Sequence, residues 1–480
     1  MKAISILGTS SNAGKSWIAT ALCAWLQAKG HDVAPFKAQN MGNNAYATLE
    51  GGEIGVAQAI QAEACERRPI VEMNPILLKP SSASRAQVVR LGKPGEHLTA
   101  QEYYQSVDAS WETARSTLDY WKSHCDVLII EGAGSPVELN LMDRDIANLR
   151  PIEYVNGKWI LVADIERGGS FAQVIGTWNL LPEKIQKSGL GFIINKFRGD
   201  PALFSEARDY FQKHTNLPFL GVIPFRTDLR IEDEDSLNAH SSEPPSNEPY
   251  IAWVRYPHLS NTQDQLPWQN DKGISNYWVE KPAYAEDAIA IVLPGTKEPI
   301  ADLAWLRQSG FDEVIQRKAQ NKTPIVGICG GYQILGQSLK GSVEVDGLGL
   351  LPISTKFLPT KKIQRYRSIW KNDVWETFEI HTGETKNIGA KAEPLLSTLS
   401  EKGELTPEGM RIGSIWGTYQ HGLFESPQMR KRLLKEARFE QAQIASHSWR
   451  ETRQRIYQEM GEFLDESLDL TSLHRYLDSE

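Results

Sequence analysis

The sequence predicts an α/β protein built from two successive domains. Short apolar runs of strand length recur along the chain and are separated by helical stretches, which is typical of a mainly parallel, doubly wound sheet. A chain of 480 residues is also too long for a single hydrophobic core. An acidic, Pro/Ser-rich stretch without periodicity indicates a linker. We therefore expect a first domain over 1–230, a linker over 231–249, a second domain over 250–435 and a helical tail over 436–480.

Composition excludes several classes of protein. A net charge of −8 argues against a general nucleic-acid or membrane binder, because such proteins need a basic face. The four cysteines are far apart and form no C-x-x-C pair, as is usual in a reducing compartment. The N-terminus runs from Met1 into a short strand and a glycine loop, which is neither a signal peptide nor a membrane span. We expect a soluble, cytoplasmic protein.

The N-terminus carries a strand, a glycine loop and a helix in succession. The strand is Ala3 to Leu7, and the helical run begins at Trp17. Between them lies a P-loop, whose backbone N–H groups cradle phosphates at a helix N-terminus. Lys15 would reach the terminal phosphates and the Ser16 hydroxyl would bind magnesium. The sequence thus predicts an ATP site, with nucleotide-binding residues Gly8, Thr9, Asn12, Gly14, Lys15 and Ser16.

A carboxylate ends a later buried strand, Asp126 to Glu131, which is followed by Gly-Ala-Gly-Ser-Pro. Ligands of α/β domains bind at the carboxyl ends of parallel strands. Glu131 is therefore predicted to bind magnesium or orient water, and Glu53 is a weaker second candidate. Capping of the next helix is the alternative role for Glu131.

Amide-rich loops follow the first helix. Lys37, Gln39 and Asn40 could hydrogen-bond a polar ligand. Capping of turns explains them equally well on physical grounds.

The second domain contains a strand that breaks at a cysteine and resumes as a helix. Gly327, Cys329 and Gly331 have the G-x-nucleophile-x-G spacing, in which a sharp turn exposes one side chain above the sheet. A thiol at such a turn is readily activated. Cys329 is therefore the predicted nucleophile, and the alternative is a buried structural cysteine.

A nucleophilic cysteine needs a base. Two histidines compete for this role: His421 in Thr-Tyr-Gln-His-Gly, and His381 in Glu-Ile-His-Thr-Gly.

The motifs together resemble those of a known family. Val326 to Gly336 and the distal Gly-Thr-Tyr-Gln-His-Gly are similar to the triad-type glutamine amidotransferase domain, in its cobyric acid synthase branch. F-K-x-Q-N-M and M-N-P-I-L-L-K-P, two signatures of that branch, also occur here unchanged. The resemblance favours His421 as the base. It implies an oxyanion hole formed by the N–H groups of Gly295 and Gly330.

The resemblance also has two points of departure. Relatives carry His-x-Glu, whereas this chain has His421-Gly-Leu423, so the residue that orients the imidazole is unassigned and Glu425 is only possible. Glu298-Pro299 replaces the usual Asn-Thr beside the oxyanion hole.

In the first domain the loop spacing resembles dethiobiotin synthetase-like enzymes, which implies that Asn195 lies near the nucleotide base.

The activity implied by the resemblance is amidation of the b, d, e and g carboxylates of a corrinoid, adenosylcobyrinic acid a,c-diamide, with glutamine and Mg-ATP. Cobyrinic acid a,c-diamide synthase shares both domains and is the alternative enzyme. A partitioning ATPase with a vestigial second domain is the alternative from another class. The Cys329 turn, the acidic charge and the absence of the signature lysine near the loop start weigh against it.

Overall fold

The computed structural model describes residues 1–82, 84–232, 241, 243–245, 248–389 and 392–479. Most of the predicted linker, namely 233–240, 242, 246 and 247, lies outside the described residues. Within the described part of the chain, no helix has the length and hydrophobicity required to cross a bilayer.

The chain divides into two compact units. The first comprises Met1–Met41, Ile54–Glu232 and Arg453–Glu480, and the second comprises Gly42–Glu53 and Asp233–Thr452. This grouping differs from the predicted division in two segments. Residues 42–53 belong with the second unit, and the end of the predicted tail belongs with the first.

Strands and helices account for most of residues 1–232. The strands are β1 Lys2–Gly8, β2 Val33–Phe36, β3 Gln39–Met41, β4 Ala45–Ala47, β5 Glu53–Gly55, β6 Ile76–Ser82, β7 Arg85–Arg90, β8 Lys93–Thr99, β9 Val127–Glu131, β10 Lys158–Asp164, β11 Gly189–Phe197 and β12 Phe219–Pro224. The helices are α1 Lys15–Ala28, α2 Val56–Ala64, α3 Ala100–Gln105, α4 Val107–Trp121, α5 Leu149–Val155, α6 Ser170–Leu180, α7 Glu183–Gln186 and α8 Ser205–Thr215. Short 3₁₀ helices span Val71–Met73, Met142–Arg144 and Pro201–Phe204.

The first unit contains a six-stranded sheet in the order β12-β11-β10-β1-β9-β2. Every neighbouring pair is parallel. Almost every residue of β1, β9 and β10 is buried, as expected for strands covered on both faces. The predicted doubly wound α/β sheet is confirmed. Because β1 and β9 are neighbours, the loop after β1 and the carboxylate that ends β9 lie at the same edge of the sheet.

The later part of the chain has its own strands and helices. The strands are β13 Tyr250–Val254, β14 Ser275–Val279, β15 Ala290–Leu293, β16 Ile325–Ile328, β17 Ser338–Lys340, β18 Glu344–Asp346, β19 Ile353–Trp370, β20 Asp373–Asn387, β21 Leu396–Leu399, β22 Leu405–Glu408, β23 Met410–Ile412 and β24 Ile415–Thr418. The helices are α9 Ala283–Glu286, α10 Pro299–Ser309, α11 Phe311–Gln320, α12 Gly330–Ile334, α13 Pro427–Glu436, α14 Trp449–Ser467 and α15 Thr471–Asp478. Two 3₁₀ helices span Thr262–Asn270 and Leu423–Glu425.

The second unit contains another six-stranded sheet, in the order β14-β13-β15-β16-β24-β23. Its pairs are parallel except for β23, an antiparallel edge strand. The loops after β13, β15, β16 and β24 therefore emerge at one edge. A separate sheet is built around β19 and β20, a long antiparallel pair.

The last two helices complete the core of the first unit. Apolar side chains of α14 and the residues after it pack with those of α1 and β1 in one buried cluster. Gly461 approaches α1 so closely that a Cβ there would lie 3.0 Å from the Trp25 backbone nitrogen. The Tyr476 hydroxyl accepts a hydrogen bond from the Ala3 backbone N–H at 3.1 Å and donates one to the Ala3 carbonyl oxygen at 3.3 Å.

Candidate active site

Cys329 lies at the turn between β16 and α12, where the sequence predicts the nucleophile. Its φ of 53° and ψ of −110° are unusual for a residue with a side chain, as is found at nucleophile turns. The turn is closed by two hydrogen bonds, from Cys329 N to the Thr418 carbonyl at 2.8 Å and from Gly331 N to the Pro294 carbonyl at 3.1 Å. The thiol is almost completely buried, with its sulfur 3.5 Å from the Ile380 carbonyl oxygen.

Glycine is required at this turn because other backbone segments approach it closely. A Cβ on Gly331 would lie 1.9 Å from the Leu293 carbonyl oxygen. A Cβ on Gly330 would lie 2.9 Å from the backbone nitrogen of Thr296. The loop after β15 and the start of α12 are thus in contact.

The predicted oxyanion-hole residues lie at this contact. Gly330 is the first residue of α12, and the first N–H groups of a helix have no acceptor within it. Gly295 is beside the imidazole, since a Cβ on it would lie 3.2 Å from His421 Cε1. The structure therefore brings Gly295, Gly330, Cys329 and His421 together.

The imidazole of His421 is fully buried and held by Asp264. Asp264 Oδ2 is 2.7 Å from His421 Nδ1, and Asp264 Oδ1 accepts the Gly422 backbone N–H at 2.7 Å. His421 is further fixed by two backbone hydrogen bonds with Phe378. Because Asp264 accepts from Nδ1–H, the lone pair of Nε2 is the one available for proton transfer.

The pKa of His421 is raised to about 10. Burial by itself would lower this pKa, but the charge and hydrogen bond of Asp264 outweigh it, and a hydrogen bond with Cys329 adds to the increase. The positive imidazolium is therefore stabilised from both sides. An imidazolium held in this way can donate a proton to a leaving group.

The competing histidine has different partners. His381 Nε2 is 3.3 Å from Glu379 Oε2, and its ring stacks on Tyr419 with centroids 3.6 Å apart. The geometry thus favours His421 as the partner of Cys329.

Asp264 is not among the residues that the sequence predicts for the site. Glu425 is the carboxylate that the sequence offers for orienting the imidazole. Its backbone N–H donates to the Gly422 carbonyl in a tight turn. The Nδ1 atom of His421 is bonded to Asp264 instead. The only local signal for Asp264 is that it is a carboxylate in a polar stretch, Asn-Thr-Gln-Asp264, after a buried strand, which does not distinguish it from other polar loop residues. The departure at Glu298-Pro299 starts a helix, with Pro299 at the first position of α10. Pro at this position is favourable.

The glycine loop after β1 has the predicted P-loop environment. Gly14 has a φ of 101°, and a Cβ on it would lie 2.0 Å from Asn195 Nδ2. Asn195 donates to the Ala13 carbonyl at 3.0 Å, so in this structure it supports the loop. Lys15 Nζ donates to the carbonyls of Ser10 and Gly134 at 3.0 and 2.9 Å.

The other predicted loop residues are near by. A Cβ on Gly8 would lie 2.9 Å from Lys15 Nζ. The Thr9 hydroxyl donates to Gln173 at 2.9 Å. Asn12 has a left-handed φ of 60°, and its carbonyl accepts from Lys196 at 2.7 Å.

Glu131 is the centre of a buried polar cluster at the same edge. Its Oε1 accepts from the Ser16 hydroxyl at 2.9 Å and from Lys37 Nζ at 2.8 Å. Gln58 and Gln61 donate to the other oxygen. Ser16 and Glu131 are therefore adjacent, as a shared magnesium site would require. The sequence predicts Lys37 only as a polar residue that could contact a ligand, whereas the structure places it against Glu131.

The remaining polar candidates have separate partners. Gln39 accepts from the Tyr103 hydroxyl, and Asn40 donates to Gln58 at 3.0 Å. Glu53 belongs to the second unit and forms an ion pair with Lys361 at 2.7 Å. Its buried carboxylate is thus engaged by a lysine in this structure.

A hydroxyl and a carboxylate suit Mg²⁺, a hard cation that retains water and binds nucleotide phosphates. Among the described residues, no group of three or more His, Cys, Asp or Glu side chains could hold a metal. The cluster therefore fits an ion held largely by phosphates and water.

Comparisons with known proteins identify both domains. Residues 4–238 match the model described as the CobQ/CobB/MinD/ParA nucleotide binding domain. Residues 250–429 match the CobB/CobQ-like glutamine amidotransferase domain. The fold and the sites thus define an enzyme that joins a glutamine amidotransferase to a nucleotide-binding domain.

Curated relatives narrow this class. Cobyric acid synthase from Desulforudis audaxviator is 40% identical over 450 residues, which cover 91% of this chain and 90% of the relative. The Prochlorococcus marinus AS9601 enzyme of that name is 40% identical over 98% of this chain and 97% of its own. A probable cobyric acid synthase from Thermococcus gammatolerans is 40% identical over 92% of each chain. The chain belongs to the cobyric acid synthase family.

Proposed function

We propose that this protein uses glutamine and ATP to amidate the b, d, e and g carboxylates of adenosylcobyrinic acid a,c-diamide. Family membership supports glutamine-dependent amidation in cobalamin biosynthesis. The observation that carries the assignment of chemistry is the buried series Cys329, His421 and Asp264, present in one chain with a P-loop.

Glutamine hydrolysis would begin with attack of the Cys329 thiolate on the side-chain carboxamide carbon. The N–H groups of Gly295 and Gly330 would stabilise the resulting oxyanion. His421 would give its proton to the departing ammonia and then accept one from the water that hydrolyses the thioester. Asp264 would hold the imidazole in the orientation that both transfers need.

Amidation requires activation of the acceptor, because a carboxylate has only oxide as its leaving group. A carboxylate oxygen would attack the γ-phosphorus of ATP, releasing ADP and forming an acyl phosphate. Ammonia would then displace phosphate to give the amide. Lys15 would stabilise the charge on the transferring phosphoryl group, and Thr9, Asn12 and the loop glycines would position the phosphates.

The predicted magnesium site would use Ser16 and Glu131. Lys37 would add a positive charge beside the Glu131 carboxylate. Mg²⁺ bound there would neutralise part of the negative charge of the ATP phosphates. Glu53 is a less favourable ligand, because the carboxylate is bonded to Lys361. Asn195 would support the P-loop through its hydrogen bond to the Ala13 carbonyl and would also contact the adenine base of ATP.

The division of labour is tested with Cys329→Ala. This variant should lose glutamine-dependent amidation and keep amidation with high ammonium, because the first unit needs only NH₃. Loss of both activities in a folded variant contradicts the proposal. The mass and regiochemistry of the product separate amidation of b, d, e and g from the a,c-diamide synthase reaction.

The intermediate is tested with heavy oxygen in the acceptor carboxylates. Each amidation should transfer one labelled oxygen to inorganic phosphate. Label in AMP, or amide formation without label in phosphate, would exclude the acyl phosphate route.

A further inference from the structure

The Asn261 side chain bridges the catalytic imidazole and a distant part of the sequence. Its Nδ2 is 3.0 Å from His421 Nε2, and its Oδ1 accepts the Ala45 backbone N–H at 3.1 Å. Asn261 is buried, and its φ of 57° and ψ of 60° lie in the left-handed region. Asparagine tolerates this region better than other residues with a side chain.

The Ala45 contact determines which end of the amide faces the histidine. Because Oδ1 accepts from Ala45, the NH₂ group is presented to Nε2 and must donate to it. This agrees with Asp264, which accepts from Nδ1 on the other side of the ring. The Nε2 lone pair is also the one that must receive the Cys329 proton, so the amide and the thiol require the same acceptor.

Residues 43–46 surround this contact. Asn44 forms two hydrogen bonds with Thr262. Its Nδ2 donates to the Thr262 hydroxyl oxygen at 2.9 Å, and its Oδ1 accepts from the Thr262 backbone N–H at 3.3 Å. Asn43 accepts from Lys297, which lies with Gly295 in the loop after β15. The segment 43–46 therefore contacts two loops of the glutaminase site.

The same segment also contacts the histidine indirectly, because the Tyr46 ring packs on Phe378 and Phe378 packs on His421. Tyr46 and Phe378 have centroids 5.1 Å apart, and Phe378 stacks on His421 with centroids 5.2 Å apart. The segment 43–46 thus constrains both the Nε2 contact and the face of the imidazole.

We propose that Asn261 is a positioning residue that competes with Cys329 for His421 Nε2 and thereby restrains glutamine hydrolysis, with the segment 43–46 holding its amide in place. This inference rests on the proposed roles of Cys329 and His421.

The proton balance explains the restraint. Activation moves the proton from Cys329 Sγ to His421 Nε2, which turns a neutral pair into thiolate and imidazolium. Asp264, from the 3₁₀ helix, favours the imidazolium, and so does the thiolate at the start of α12. Gly295 and Phe378, which also lie beside the ring, are uncharged. The Asn261 N–H stabilises the neutral imidazole and opposes the transfer.

The position of the segment in the chain offers a way to control the restraint. The polypeptide passes from Met41 of the first unit directly into Gly42 of the second, and returns at Ile54. A displacement of 43–46 would withdraw the Ala45 N–H from Asn261 and free Nε2 for the thiol.

The test is the pH dependence of Cys329 alkylation by iodoacetamide, measured by peptide mass spectrometry on the full chain. Asn261→Gly keeps the left-handed backbone and removes the amide. Its alkylation curve should move to lower pH by about one unit, the size expected for loss of a neutral hydrogen bond. Glutamine hydrolysis without ATP or corrinoid should rise several-fold. Asn44→Ala should shift the curve in the same direction.

Asn156→Gly is the matched control, since Asn156 is an exposed asparagine with φ 51° and ψ 42° at the end of α5. Its curve should equal that of the unaltered protein. An unchanged or higher alkylation pKa in both Asn261→Gly and Asn44→Ala overturns the inference. If alkylated Cys329 still hydrolyses glutamine, the proposed function itself fails, which is a separate outcome.

Discussion

Asp264 and His421 are joined by a buried hydrogen bond of 2.7 Å although they lie 157 residues apart in sequence. Both side chains are fully or almost fully buried. They meet because β13 and β24 belong to one sheet and the loops that follow them emerge at the same edge. This relationship supplies the imidazole with an orienting carboxylate from a part of the chain that precedes the nucleophile.

We expect Asp264→Asn to reduce glutamine hydrolysis by about 100-fold or more, by analogy with the loss of an orienting carboxylate in other triads. The amide would also remove the charge that raises the pKa of His421, so less imidazolium would be available to protonate ammonia. Steady-state ammonia release measures the effect. Asp287→Asn, at an exposed carboxylate after α9, is the control and should leave the rate unchanged. Equal rates for both variants would contradict the role of Asp264.

His421→Asn should abolish glutamine-dependent amidation and leave amidation from ammonium intact. The reason is that Asn cannot exchange a proton with Cys329. His381→Asn is the matched comparison, because His381 lies on β20 beside the site but is bonded to Glu379. Selective loss in His381→Asn, with activity kept in His421→Asn, would reverse the assignment of the base.

Lys15→Ala should remove amidation with either nitrogen source, since both routes need the phosphoryl transfer. Glu131→Gln should weaken amidation and raise the magnesium concentration needed for half-maximal rate, because the carboxylate beside Ser16 is lost. Phosphate release in the presence of corrinoid measures both effects. Lys184→Ala, at an exposed lysine, is the control. Unchanged phosphate release in the Lys15 variant would disprove its role.

Glu408 should make the second unit less stable as the pH rises through neutrality. Burial raises the pKa of this carboxyl to about 7, against the opposing hydrogen bonds from Thr418 and the Tyr419 N–H, while the charge of Glu379 adds to the increase. The group is thus protonated in the folded state well above its unfolded value of 4.5. The stability that it contributes is complete below pH 4.5 and is lost as the pH rises to about 7.

The corresponding measurement compares unfolding at pH 5 and pH 8. Glu408→Gln imitates the protonated form, so it should remove a pH-dependent loss of up to about 3 kcal/mol. Glu404→Gln, at an exposed neighbour on the same hairpin, should leave the loss as it is. The same pH dependence in Glu408→Gln and the unaltered protein would show that another group is responsible.

The parts of the molecule that sequence predicts are those encoded by local pattern. The strand, glycine loop and helix around Gly14 and Lys15, and the glycine-flanked turn at Cys329, each lie within about a dozen residues. Their backbone requirements are visible in the residues themselves.

The parts that sequence does not reveal depend on pairing between distant strands. Asp264 resembles any polar loop residue until β13 and β24 are known to share a sheet. The long pair β19 and β20, which brings Ile380 to Cys329 and His381 to Tyr419, carries no motif of its own. The grouping of 42–53 with later residues also has no local signal.

The return of Arg453–Glu480 to the first unit has a consequence for biosynthesis. The ribosome makes the nucleotide-binding sheet early, but its buried cluster lacks the side chains of Tyr457, Met460 and Leu464 until the second unit has been made. Residues 42–53 are delivered early as well, and must wait for the amidotransferase strands that they join. The first unit therefore cannot complete its buried cluster until the whole second unit has been synthesised, so folding of the nucleotide-binding sheet should lag well behind its synthesis.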